Sequence, residues 1–186
     1  MSLIEITPET FGVRIDLKYA TAENFTGKPV YAKTARCYLN PAAADLLARA
    51  VKLAHAQSYR FLIFDAYRPP EAQQKLWDHT PDPDFLADPK KGSPHSRGAA
   101  IDLTLCHWDW TPLDMGTEFD AFTPLSHHGN QQIHALAQRN RLLLMGIMTT
   151  AGWDFYRNEW WHYQLFNARQ LYPIVSDKES GLGVMG

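Results

Sequence analysis

Ser93-Pro94-His95-Ser96-Arg97-Gly98-Ala99-Ala100-Ile101-Asp102-Leu103-Thr104-Leu105 is the stretch whose reading decides the fold. Its first half is loop chemistry, with proline, serine and a glycine where the chain must turn tightly. Its second half, residues 99–105, reads as a strand. Ile101, Leu103 and Leu105 face one way, and Asp102 and Thr104 face the other. A histidine on a polar loop is thus followed at once by a carboxylate on the polar face of a strand.

Upstream, residues 79–97 are rich in Pro, Asp, Lys, Gly and Ser. A loop of that length inside a compact domain is often functional. Before it, residues 60–65 read as a buried strand ended by Arg68-Pro69-Pro70, and the second proline can open a helix over 71–77. Asn40 followed by Pro41 is a cap and first turn, and Ala43, Leu46, Leu47, Ala50, Val51 and Ala54 recur at helical spacing over 40–55.

Downstream, a second mixed loop covers 107–129. Asn130 is expected to cap a helix over 131–150, with Gly152 as its stop. Residues 153–166 are aromatic-rich and read as one or two strands containing Glu159-Trp160-Trp161-His162. The tail after Ser176 is expected to be loose. Strands and helices do not alternate regularly. The expectation is therefore an α+β fold, one domain over 1–186, with a central antiparallel sheet flanked by helices and the two ends peripheral.

The composition supports a core, at 45% hydrophobic residues in a chain of 186. A formal net charge of −2, with basic residues scattered, gives no footprint for nucleic acid. No apolar run reaches the ~18 residues needed to cross a membrane, and the N-terminus lacks the pattern of a secretory signal. Cys37 and Cys106 are too few and too far apart for a disulfide framework, so two free thiols and a cytoplasmic setting are expected.

His95, Asp102 and His162 supply two imidazoles and a carboxylate, a common open zinc site that leaves a fourth position for water or substrate. Glu159, three residues before His162, is suited to take a proton from that water. Each residue also has an ordinary reading. A histidine in a Ser/Gly loop is usually solvated, a strand aspartate can be an edge charge, and paired tryptophans are usually core. Residues three apart lie on opposite faces of a regular strand, so Glu159 and His162 converge only through a bulge, a bend or a helical turn.

The pattern formed by Ser93, His95, Gly98, Ala100 and Asp102, completed by Glu159 and His162, resembles the zinc D-Ala-D-Ala peptidases and their hedgehog-like relatives. Asp16-Leu17-Lys18-Tyr19-Ala20-Thr21, Asn24-Phe25-Thr26-Gly27, Asp65-Ala66-Tyr67-Arg68-Pro69 and Glu159-Trp160-Trp161-His162 narrow the resemblance to the D-Ala-D-Ala dipeptidases, which include the enzymes of vancomycin resistance. It runs from about Val13 to about Pro173.

The resemblance implies one Zn2+ per chain on His95, Asp102 and His162, with Glu159 as general base and Arg68 stabilising the oxyanion. It implies that Tyr19 and Asp120 receive the substrate's free amino group and that Ser93 lines the pocket. Without it, Arg68 reads as a structural ion pair, Asp120 as a loop charge and Tyr19 as a core aromatic. The implied partner is a small dipeptide, with neither nucleic acid nor membrane involved, and the oligomeric state is open, a homo-oligomer included. The loop between Trp77 and Ser93 looks shorter than in the vancomycin-resistance enzymes, which bears on substrate range. Two alternatives stand beside this reading: a D,D-carboxypeptidase or endopeptidase on cell-wall peptides, and a zinc-binding module without catalysis.

Overall fold

Two strands carry the molecule. In the computed structural model, which describes residues 2–186, β4 (Arg60–Asp65) and β5 (Ala100–Cys106) pair antiparallel from Arg60 opposite Cys106 to Ile63 opposite Leu103. The register then slips by one residue, so that Asp65 rather than Phe64 lies opposite Asp102. This bulge matters because directly paired residues share a face. It brings a second carboxylate to the Asp102 side and leaves Phe64 to stack near Phe119, with ring centroids 5.0 Å apart.

β5 also pairs antiparallel with β7 (His162–Gln164), placing Asp102 opposite His162, and β6 (Asp154–Phe155) lies outside β7. On the other edge, β2 (Arg14–Ile15) runs parallel to β4. The sheet order is β2-β4-β5-β7-β6, so the expected antiparallel sheet is in fact mixed. A parallel pair needs a long crossover, and here the chain between β2 and β4 contains β3 (Tyr38–Leu39), paired with β1 (Ile4–Glu5), and the helix α2 (Pro41–Ala56).

Asn40 caps α2 as its sequence indicated, its side chain accepting from the Ala42 amide. The buried face of α2, including Leu47, Ala50 and Ala54, packs on α4 (Ala135–Ala151) and on β4, while α4 also meets β5 and β6. Ile101, Leu103 and Leu105 join that core. Each such leucine contributes about 1.5–3 kcal/mol by leaving water. The opposite side of β5, with Asp102 and Thr104, is also buried. A second cluster gathers Tyr19, Tyr31, Tyr67 and Leu76 of α3 (Pro70–His79), and the short helix α1 (Pro8–Phe11) lies against α2.

Three expectations are corrected. α4 begins at Ala135 with His134 as its cap, because Asn130 is engaged elsewhere: its side chain accepts from the Gln132 amide and donates to the Pro124 carbonyl. Gly152 does end this helix, in the left-handed region. In the aromatic segment only Asp154–Phe155 and His162–Gln164 are strands, and Glu159 to Trp161 form the turn between them. The tail is not loose. After α5 (Ala168–Leu171), Ser176 and Glu179 form a capping box for α6 (Asp177–Ser180), Asp177 accepts from the Val184 and Met185 amides, and Val184 is fully buried. Cys37 and Cys106 are buried and free. Among the described residues no helix is long and apolar enough to cross a membrane.

Candidate active site

The loop histidine is fixed from below by backbone geometry. Residues His95–Arg97 make one 3-10 turn, closed by Gly98 at φ +60°, and a Cβ on that glycine would lie 2.8 Å from the Asn40 amide nitrogen. Only glycine suits both demands. The turn presses His95 Nδ1 to 2.6 Å from the Ala66 carbonyl, which can only accept, so the proton sits on Nδ1 and the Nε2 lone pair points inward. His162 is oriented likewise: its Nε2 lies 3.1 Å from Gln164 Oε1, leaving Nδ1 to face Asp102.

His95 Nε2, His162 Nδ1 and Asp102 Oδ1 form a triangle with sides of 3.1, 3.1 and 3.3 Å. Three ligands held about 2.0 Å from a tetrahedral metal ion lie about 3.3 Å apart, which is this spacing. Two imidazole lone pairs and a carboxylate at such separations repel one another unless a cation lies among them. All three residues are buried and together could hold a metal. Burial keeps His162 below the ordinary histidine range, and hence neutral, as a ligand must be. Although burial alone would raise it, Asp102 is held below the usual carboxylate range by His95 and His162.

Around the triangle stands a supporting ring of which the sequence announced only Arg68. Arg68 donates from Nε to Asp65 Oδ2 at 2.8 Å, from Nη1 to Gln73 Oε1 at 3.0 Å and from Nη2 to Asp102 Oδ2 at 3.3 Å. Those three bonds hold the guanidinium at the cavity wall. Asp65 also accepts from the Tyr31 hydroxyl at 2.7 Å. Such partners fix ligand orientation. Asp65 lay within the Asp-Ala-Tyr-Arg-Pro segment without a role, and Gln164 could have been found by strand period, two residues after His162.

Glu159 and His162 converge through a turn, with the Glu159 amide on Tyr156 O at 3.3 Å and the His162 amide on Glu159 O at 3.4 Å. Glu159 Oε2 then lies 3.7 Å from His162 Nδ1. Trp160 and Trp161 are buried and pack edge to face, the core reading, although Trp161 also reaches the cavity. The Tyr19 hydroxyl donates to Asp120 Oδ2 at 2.8 Å, and the Arg68 guanidinium lies over the Tyr19 ring at 4.9 Å. Asp120 takes the left-handed region at φ 58°, unusual for a residue with a Cβ. Ser93 lines the cavity and its Oγ accepts from the His95 amide at 3.2 Å. All eight residues singled out from the sequence line one cavity of about 280 Å³.

Electrostatics say what this cavity wants. Asp102, Asp120 and Glu159 in the lining, with Asp65 bonded to Arg68, are four carboxylates around one guanidinium, while Asp88, Lys91 and Arg169 also line the cavity. Burial, then the charges of Asp102 and Asp120, push Glu159 well above the usual glutamate range. Burial likewise pushes Asp120 up to about 8, with Arg68 opposing. If all four ionise, three negative charges are unmatched. A divalent ion and one ammonium group would match them, so the donor set fits a metal centre.

Two imidazoles, a carboxylate and an adjacent glutamate around a small cavity define a class: a hydrolytic site of the kind that peptidases build to hold a metal. The family follows from comparison. Residues 2–178 match the peptidase family described as D-ala-D-ala dipeptidase, and the chain belongs to that family of hydrolases. It is 45% identical over 168 residues to a D-alanyl-D-alanine dipeptidase of Escherichia coli K12, covering 90% of this chain and 86% of that one. It is 39% identical over 183 residues to the D-alanyl-D-alanine dipeptidase of Enterococcus faecalis, covering 87% and 89%. A Streptomyces coelicolor protein of the same name is 36% identical, covering 83% and 86%.

Proposed function

We propose that this chain hydrolyses the dipeptide D-alanyl-D-alanine to two molecules of D-alanine, with one zinc ion on His95, Asp102 and His162. The observation that carries this reading is the triangle of donor atoms with sides of 3.1 to 3.3 Å beside a free glutamate. Zinc, when bound there, supplies Lewis acidity and a water of lowered pKa.

Glu159 accepts the proton of the attacking water at its carboxylate and returns it to the leaving amine. Asp120 and Tyr19 hold the substrate ammonium, fixing which peptide bond reaches Glu159. Arg68, in the cavity wall, offers its guanidinium charge to the oxygen on which negative charge develops. Ser93 keeps the His95 turn in shape. The burial of these groups strengthens each contact.

The test is D-alanine release from D-Ala-D-Ala by zinc-loaded protein, beside L-Ala-L-Ala and a chelated control. Release confined to the D,D dipeptide and abolished by chelation supports the reading. In Glu159→Gln, turnover should fall by at least about 100-fold with zinc still bound one per chain. Loss of zinc from that variant would make Glu159 a ligand or a support rather than the base.

A further inference from the structure

An amino-group anchor alone makes an aminopeptidase, since it says nothing about how far the substrate extends past the scissile bond. A dipeptidase must sense the other end as well. The charge count above is closed by a divalent ion and an ammonium group, so a zwitterionic dipeptide brings in one negative charge, its carboxylate, that the inner residues cannot match.

Two cations line the same cavity from other parts of the fold. Arg169 comes from α5, just past β7, and Lys91 from the long loop. Arg169 is tethered there, its Nε donating to the Gly92 carbonyl at 3.3 Å, the residue between Lys91 and Ser93. Among the described residues neither cation forms an ion pair. A third, Arg97, bonds the Tyr172 carbonyl through Nη1, and a Cβ on Gly92 would lie 3.2 Å from its Nη2. Arg169 and Lys91 line the cavity with Asp88 as the carboxylate of the same loop, which leaves one positive charge in excess there and favours an anionic ligand.

We propose that Arg169, supported by Lys91, binds the carboxylate end of the substrate and so confines the enzyme to free dipeptides. Nε is held by the backbone, and the two Nη atoms present a fork suited to a carboxylate. This inference rests on the dipeptidase reading and adds to it a second anchor of opposite sign.

The experiment compares D-Ala-D-Ala with its C-terminal amide as substrates for the wild type, Arg169→Gln, Arg169→Lys and Lys91→Gln. The wild type should show a KM for the free acid at least about tenfold below that for the amide, a difference of the size charge-assisted hydrogen bonds give. Arg169→Gln should raise KM for the acid about tenfold, leave kcat and the amide's KM within about threefold, and so erase the preference. Arg169→Lys should restore part of it, and Lys91→Gln should weaken it less. A wild type that cleaves both substrates alike, or an Arg169→Gln variant that keeps the full preference, overturns the carboxylate contact and leaves the dipeptidase reading standing. A wild type that cleaves neither removes that reading, and the inference with it.

Discussion

Arg68 Nη2 lies 3.3 Å from Asp102 Oδ2, while the other oxygen of Asp102 completes the triangle with the two histidines. One guanidinium thus braces a proposed ligand and still faces the cavity. The same side chain is held by Asp65 and Gln73, so its position is over-determined. Lysine cannot reproduce three bonds in a fixed plane. Arg68→Lys should keep zinc near one per chain yet lower kcat by about 100-fold, with a much smaller change in KM. Asp65→Asn should lower kcat by a lesser factor, since Arg68 keeps two of its three tethers. A KM effect without a kcat effect in Arg68→Lys would assign Arg68 to substrate binding alone.

Gly98 gives a sharper test of the scaffold. At φ +60°, with the Asn40 amide 2.8 Å from where a Cβ would stand, Gly98→Ala must shift the backbone that sets His95. Strain of this kind costs about 1–3 kcal/mol. The variant should melt several degrees lower and bind zinc more weakly, read by calorimetry and metal titration. Unchanged zinc affinity would mean that His95 is fixed by Ala66 alone.

Much of this was legible in the sequence, and the exceptions have physical reasons. The alternation over 100–106 and the Asn40-Pro41 cap depend on neighbours in the chain, so local chemistry was enough to find β5 and α2. The slip at Phe64 depends on which partner β4 meets, and nothing in Arg60 to Asp65 encodes it. That slip is why Asp65 was quoted but given no role. The short parallel strand at Arg14–Ile15 is likewise a tertiary product. By contrast Ser176-Asp177-Lys178-Glu179 is a capping-box pattern in plain sight, and reading it would have predicted α6 rather than a loose tail. Arg169 and Lys91 lie far apart in the chain, and only the fold puts both on the cavity wall.

His128 gives stability a pH dependence of known sign. Burial, and then Arg141, lower its pKa from 6.5 to about 4. Its ring packs at 5.0 Å from Phe155, and its Nε2 has no hydrogen-bond partner among the described residues. The unfolded chain takes up a proton near pH 6.5 and the native state resists until about 4, so the contribution is fully present above 6.5 and is lost as pH falls towards 4. The ceiling is about 3 kcal/mol at 1.36 kcal/mol per pH unit. Urea unfolding at pH 7.5 and 5 should therefore show a steeper loss for the wild type than for His128→Phe, which keeps the ring contact and cannot titrate. Parallel losses would place the acid sensitivity elsewhere.

The amino-group anchor is the last and most discriminating point, because it separates the dipeptidase reading from a carboxypeptidase on longer wall peptides. Asp120 is half-buried, bonded to Tyr19, and short of a cation, since Arg68 is committed to Asp65 and Asp102. An ammonium group entering the cavity gives it one, whereas an acylated nitrogen cannot, and a carboxylate left without a cation in such a place is costly. The wild type should cleave D-Ala-D-Ala with a kcat/KM at least about 100-fold above that for its N-acetyl derivative, a discrimination of the size that unpaired buried polar groups produce. Asp120→Asn should lose most of the free dipeptide's advantage, chiefly through KM, while the acetylated substrate, which never used the charge, should change little. Efficient cleavage of the N-acetyl substrate by the wild type would remove the anchor and favour the carboxypeptidase. An unchanged ratio in Asp120→Asn would shift the anchor to another carboxylate of the cavity, with Glu159 the first to examine.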